Sequence, residues 1–128
     1  MENGEGSVMR VLVCGGRDYS DKARVFAVLD GLAHVSEDSP LGVPVTIIHG
    51  DAKGADSLAD AWSAMNYNCT ERYPANWNKH GRGAGPIRNQ QMIEDGKPDL
   101  VVACPGGRGT ADMVSRAQKA GIKIISVP

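Results

Sequence analysis

The stretch Asp99-Leu100-Val101-Val102-Ala103-Cys104-Pro105-Gly106-Gly107-Arg108-Gly109-Thr110 decides how the chain is read. Its first half is a short apolar run bounded by turn residues, the pattern of a buried strand, and Ala111 to Ala120 beyond it reads as a helix. Three glycines at a strand-to-helix turn let the backbone approach a ligand, and the first amides of the following helix point outward with a partial positive charge. A turn of this kind suits a phosphate. It also serves as a tight connection and nothing more, so the decision falls to the rest of the chain.

Working outward, the same grammar recurs. Val8 to Cys14 is an apolar run that stops at Gly15-Gly16-Arg17-Asp18-Tyr19, as a central parallel strand does when it ends in a functional turn. Ser20 or Asp21 caps the next helix, in which Val25, Val28, Leu29 and Leu32 recur at helical spacing and Lys22, Arg24 and Asp30 face solvent. Val35 to Pro44 is a surface connection. Val45 to Ile48 is a second strand, followed by His49-Gly50-Asp51-Ala52-Lys53-Gly54-Ala55-Asp56 and a helix with Leu58, Trp62 and Met65 on one stripe. Asn68 to Tyr73 is a weaker strand suited to an edge, and Pro74 to Gly85 reads as a long polar loop. Pro86 takes the first position of a helix running through Ile87 to Asp95, which Gly96 and Pro98 end. Gly121 caps the last helix, and Ile122 to Val127 closes the chain as a strand.

Strands alternating with helices call for a parallel sheet covered on both faces, an α/β three-layer sandwich with a mainly parallel five-stranded sheet. In such sheets the ligand lies beyond the carboxyl ends of the strands, where strand order reverses, and every glycine-rich turn falls at that end. The 128 residues, 41% hydrophobic and 23% charged, fit one domain over residues 8–128 after a disordered polar tail, Met1 to Ser7. No apolar run approaches the roughly 20 residues of a membrane helix, and the tail lacks the pattern of a secretory signal, so the expectation is a cytoplasmic protein without membrane contact. Cys14, Cys69 and Cys104 form no CxxC pair, which points to neither a disulfide framework nor a metal site.

A net charge of -1 gives no bulk attraction to nucleic acid. Yet Arg17, Lys53, Lys79, Arg82, Arg88 and Arg108, six of the 14 basic residues, lie in or just beyond loops that converge on one rim. Arginine there suits phosphate oxygens, and Lys53 acts as a compact charge. Lys79 and Arg82 read individually as solvated surface charges. Arg88 stands out because it begins a helix, where the dipole disfavours a cation unless an anion compensates. Of the acids, Asp51 and Asp112 read as caps or first-turn charges, whereas Asp56 and Asp18 fit ligand binding and structural roles equally. Trp77 and Tyr19 fit base stacking or loop packing. A nucleophilic site on Cys14, Cys104 and His49 lacks an orienting acid. The turns match neither GxGxxG nor GxxxxGK[ST], so a dinucleotide oxidoreductase or a P-loop enzyme is not indicated and no cofactor is expected.

Together, Gly15-Gly16-Arg17-Asp18-Tyr19, His49 to Asp56, Gly85-Pro86-Ile87-Arg88-Asn89 and Pro105-Gly106-Gly107-Arg108-Gly109-Thr110 resemble the YspA/YpsA-related branch of the SLOG superfamily, over Met9 to Pro128. That superfamily includes the LOG phosphoribohydrolases and the DNA-processing protein DprA. The resemblance implies a Rossmann-like fold, a nucleotide or nucleotide-derived ligand, and assembly into a homo-oligomer through helices flanking the sheet. It implies ligand contacts from Gly15, Gly16 and Arg17, from Gly50, Asp51, Lys53, Gly54 and Asp56, from Arg88 and Asn89, and from Pro105 to Thr110. LOG enzymes cleave a base from a nucleoside monophosphate with an arginine, matched here by Arg88, and a glutamate three residues beyond the threonine, where this chain has Met113. Methionine moves no proton and stabilises no oxocarbenium-like centre. Asp112 is one residue off, about 100° around the helix, so catalysis would fall to Asp56 or Asp18 with Arg88.

The reading is therefore a protein that binds a nucleotide, phosphoribosyl or ADP-ribose-like ligand, as a sensor or sequestering protein. A nucleotide N-glycoside hydrolase with a non-standard acid is the alternative. Single-stranded nucleic-acid binding is a third reading, against which the lack of an extended basic stripe argues.

Overall fold

In the computed structural model, which describes residues 8–128, strand β1 (Met9–Cys14) runs through the middle of the sheet. Val11, Leu12 and Val13 on it have no exposed surface. A strand covered on both faces has no polar side, which is why its sequence does not alternate. On one flank lie β2 (Val45–His49) and β3 (Cys69–Arg72), and on the other β4 (Leu100–Ala103) and β5 (Lys123–Ser126). All pairs are parallel, in the order β3-β2-β1-β4-β5. The chain moves outward from β1 to β3, then returns to lay β4 against the other side of β1. The order thus reverses between β1 and β4, and a crevice opens beyond their carboxyl ends.

Alternate residues of β1 feed two separate cores. Val11 and Val13 pack with Val25 and Leu29 of α1 (Lys22–Leu32) and with Ala59 and Trp62 of α2 (Ala55–Met65). Leu12 and Cys14 pack on the other face with Met92 and Ile93 of α4 (Ala84–Glu94) and Met113 and Ala117 of α5 (Arg108–Lys119). The short helix α3 (Trp77–His80) lies before α4. This is the three-layer arrangement expected from the alternation of strands and helices.

Local signals act as read at several termini. The Asp21 side chain accepts the Arg24 N–H at 3.1 Å, capping α1. Gly121 has φ +73, and the Gly121 and Ile122 amides return to Gln118 and Ala117, closing α5 in a Schellman turn.

The structure corrects other details. Pro74 to Gly85 is not a continuous loop: it holds α3, capped by the Asn76 side chain, a single 3₁₀ turn (Gly81–Gly83) and the start of α4. Pro86 is therefore the third helical residue, still within the first turn, where a missing N–H costs nothing. Helix α5 starts at Arg108 rather than Ala111, so the last glycine of the turn is already helical. Met65 is 62% exposed and does not share the buried stripe of Trp62. Asp30, expected in solvent, is half-buried and accepts the Trp62 indole N–H at 2.8 Å. The tail, residues 1–7, lies outside the described residues.

Trp62 is fully buried and holds α1 to α2 through that bond. Asp30→Ala leaves a buried indole N–H without its acceptor and is expected to lower stability by about 1–3 kcal/mol. Urea unfolding checks this: the midpoint should fall with the slope unchanged, and an unmoved midpoint would show the bond to be dispensable.

Candidate functional site

Beyond the carboxyl ends of β1, β2 and β4 lies a cleft of about 560 Å³, within the range of small-molecule sites. Its base is a seam between two turns. The Gly16 N–H donates to the Pro105 carbonyl at 2.8 Å, joining the turn after β1 to the turn after β4. A side chain at Gly15 would begin 2.7 Å from the Cβ atoms of both Ala55 and Cys104, so only glycine lets the two turns and α2 meet.

From the β4 turn, α5 points its N-terminus into the cleft, which Gly107, Arg108, Gly109 and Thr110 line. The first intrahelical bond runs from the Ala111 N–H to the Gly107 carbonyl, leaving the preceding amides ahead of the ladder, and no side chain caps them. Unpaired donors at the positive end of a helix dipole are chemically suited to an anion.

Arg88 enters from α4. Its Nη1 donates to the carbonyls of Gly50 at 2.5 Å and Tyr73 at 3.2 Å, and its Nε to Asn89 Oδ1 at 3.0 Å. The guanidinium occupies the space a side chain at Gly50 would need. Among the described residues no carboxylate lies within ion-pair distance of it. Burial pulls the Arg88 pKa below its ordinary value, the Asp56 charge opposes this, and Arg17 adds to it. A half-buried guanidinium remains charged, so a site with two neighbouring cations favours an anion.

Asp56, at the start of α2, is buried in the cleft wall. Its Oδ2 accepts the amides of Gly50 at 3.0 Å and Ala52 at 3.2 Å and so shapes the β2 turn, while Oδ1 is engaged by no described residue. Burial raises its pKa, against the Ala52 amide, His49, Arg88 and the Gly50 amide. Asn89, also buried, clasps α4 to α5: its Nδ2 donates to the Gly109 carbonyl at 3.2 Å and to Asp112 Oδ2 at 3.0 Å. Asp112 is in turn paired with Arg116 at 2.8 Å. Of the six charged residues lining the cleft, Arg17, Arg82, Arg88 and Arg108 outnumber Asp56 and Asp112, so its charge is positive although the chain's is not.

The remaining chemistry is limited. Burial pushes the Cys14 thiol up to about 12 and the Cys104 thiol up to about 11, so neither supplies a thiolate nucleophile near neutral pH. Among the described residues no group of three or more His, Cys, Asp or Glu is placed to hold a metal. Met113 is buried in the α4–α5 core where it meets the cleft.

A family model described as the YspA, cpYpsA-related SLOG family matches residues 9–80, more than half of the chain. The chain belongs to that family. The Gene 61 protein of Mycobacterium phage D29 is 40% identical to this SLOG chain over 124 residues, covering 91% of it and 94% of the phage protein. The crystal structure of DNA processing protein A (DprA) from Streptococcus pneumoniae superposes with a TM-score of 0.51 at 18% identity, over 92% of this chain. This chain spans 58% of the DprA chain's length, and the likeness is one of fold.

Within the SLOG chain, the residues singled out from sequence divide in two. Gly15, Gly16 and Arg17, then Gly50 and Asp56, line the cleft, as do Arg88, Asn89 and the run from Gly107 to Thr110. Asp18 and Lys53 are exposed outside it. Asp51, with φ 57, donates its amide to His49 Nδ1, and Gly54, Pro105 and Gly106 support the turns from behind. Tyr19 packs against the α1–α2 core, which removes it as a stacking surface. Sequence reasoning undervalued Trp77, Arg82 and Asp112, all of which line the cleft, held Ala52, Gly85 and Pro86 only as parts of motifs rather than as contacts, and missed Met92. The signal for Trp77 was a large indole in an otherwise polar segment.

The β2 turn is braced from behind. His49 is buried, and its Nδ1 accepts the Asp51 N–H at 2.9 Å, so the ring proton sits on Nε2 and is donated to Asp60 Oδ2 at 2.7 Å. Contrary to the sequence reading, His49 does have an orienting acid, but both ring nitrogens are spent on bracing the turn and the ring does not line the cleft. Asp60 also takes two bonds from Arg72. The Arg72 bonds lead in holding the Asp60 carboxyl below its ordinary value; burial opposes them and His49 assists. A depressed pKa gives stability that is present above the unfolded value, about 3.9, and is lost as pH falls through the folded one. Asp60→Asn is therefore expected to be less stable than wild type at pH 7, with the gap narrowing as pH drops below about 4. Urea midpoints across that window check it, and a gap independent of pH would contradict it.

Proposed function

We propose that the cleft binds a phosphorylated nucleoside or nucleotide-derived ligand, a phosphoribosyl or ADP-ribose-like compound included, and that the protein acts as a sensor or sequestering protein. One observation carries the reading: the uncapped α5 N-terminus and the carboxylate-free guanidinium of Arg88 open onto the same cleft. Main-chain donors and a fixed cation suit phosphate oxygens. The unengaged Asp56 Oδ1 in the same wall suits a sugar hydroxyl. Cleavage is not part of the proposal. Asp56 Oδ2 is committed to two amides, Met113 stands at the LOG glutamate position, and Asp18 lies outside the cleft. Nucleic-acid binding loses support with Tyr19 packed into the core. No helix among the described residues is long and apolar enough to cross a membrane.

A thermal-shift screen of nucleoside mono- and diphosphates, ADP-ribose and sugar phosphates tests the reading, because a ligand of the folded state raises its stability. Binding is expected, with Arg88→Ala weakening it about tenfold or more and Arg88→Lys weakening it less. No shift across the panel would reject the reading. Chromatography of the same mixtures is expected to show no free base, and base release by wild type would move the assignment to the hydrolase.

We also propose that the chain forms homo-oligomers, with the end of α2 as the contact, since Met65 is 62% and Tyr67 86% exposed there. Light scattering at micromolar concentration is expected to give a multiple of the chain mass, and a monomer mass would contradict this.

A further inference from the structure

We propose that Trp77 and Arg17 are the two leaves of a slot for a nucleobase, so that the cleft selects base-bearing phosphates over bare sugar phosphates. The proposal rests on the nucleotide reading given above and goes beyond it by naming the part of the ligand that the lip of the cleft recognises.

Trp77 is 49% exposed while the protein's other tryptophan is fully buried. An indole carries the largest apolar surface of any side chain, and leaving half of it in water loses much of what burial would give. The exposure is built in. Trp77 is the first residue of α3, whose Asn76 cap accepts the Lys79 N–H at 3.1 Å. On the neighbouring helix, the indole edge lies against the first turn of α4, where a Cβ at Gly85 would meet Trp77 Cη2 at ordinary contact distance, 3.4 Å. The ring is thus held at the cleft wall without being covered.

Arg17 lies over it. Its guanidinium carbon is 6.0 Å from the ring centroid, and among the described residues no carboxylate within ion-pair distance claims it. That separation is at the outer limit of a cation–π contact, which reaches about 6 Å. Direct packing would bring the planes to about 3.5–4 Å. Two such contacts in series need about 7 Å, so a displacement of about 1 Å by an exposed side chain admits one aromatic plane between the leaves. Bases stack on both aromatic rings and guanidinium planes. The volume of about 560 Å³ likewise exceeds what a phosphate alone would fill. A slot that grips only the π-faces reads the presence of a base and little of its identity, so purine and pyrimidine nucleotides should both be accepted.

Calorimetric titration of wild type, Trp77→Ala, Trp77→Phe and Arg17→Ala with AMP, ribose 5-phosphate and inorganic phosphate tests the slot. Wild type is expected to bind AMP at least about tenfold tighter than ribose 5-phosphate. Trp77→Ala should bring the two affinities to within about twofold, Trp77→Phe should keep most of the preference, and Arg17→Ala should keep an intermediate share. AMP should quench the tryptophan emission of wild type, and ribose 5-phosphate should not. Equal affinities for AMP and ribose 5-phosphate in wild type, or a full AMP preference in Trp77→Ala, would overturn the slot while leaving the phosphate site standing. Failure of all three probes to bind wild type would overturn both.

Discussion

A backbone hydrogen bond from the Gly16 amide to the Pro105 carbonyl ties together the two turns on which the rest of the molecule depends. It forms because β1 and β4 are adjacent and parallel although a long stretch of chain separates them, and because Gly15 admits Ala55 and Cys104 at contact distance. Once the seam is closed, α5 must begin at the rim, α2 must start beside it, and α4 must cross above. The cleft follows from strand order and two missing side chains, before any charged residue is considered.

Charge is then placed by main-chain groups more than by ion pairs. Arg88 is gripped by the carbonyls of Gly50 and Tyr73, Asp56 by the amides of Gly50 and Ala52, and α5 offers amides of its own. Side-chain pairs such as Asp112 with Arg116 and Asp60 with Arg72 stand around the cleft and brace it. Groups fixed by backbone lose little freedom when a ligand arrives, which is the physical content of preorganisation. Main-chain groups fixed in this way suit the anionic ligand proposed above.

The fold was legible because its determinants are local. Apolar runs ending in glycine, caps such as Asp21 and the alternation of strand with helix are written within a few residues of where they act. The cleft was legible in part for the same reason: glycine turns and a cation at a helix start are unusual enough to stand out. What could not be read depends on contacts between distant segments. Asp30 looks solvent-facing until Trp62 is brought to it, Tyr19 looks like a loop aromatic until the α1–α2 core receives it, and Trp77 becomes part of a wall only when Arg17 and Gly85 close around it. The segment from Pro74 to Gly85 misled for another reason. Its glycines and polar residues carry loop propensity, and the packing of α3 on α4 overrides it.

The three cysteines differ in a way that is useful at the bench. Cys14 and Cys104 are buried with thiols pushed far up, whereas Cys69 is exposed at the amino end of β3, the opposite end of the sheet from the cleft. A maleimide fluorophore should therefore attach at one position without any engineering of the chain, and its emission would report on the molecule from a point where it cannot obstruct whatever enters the cleft.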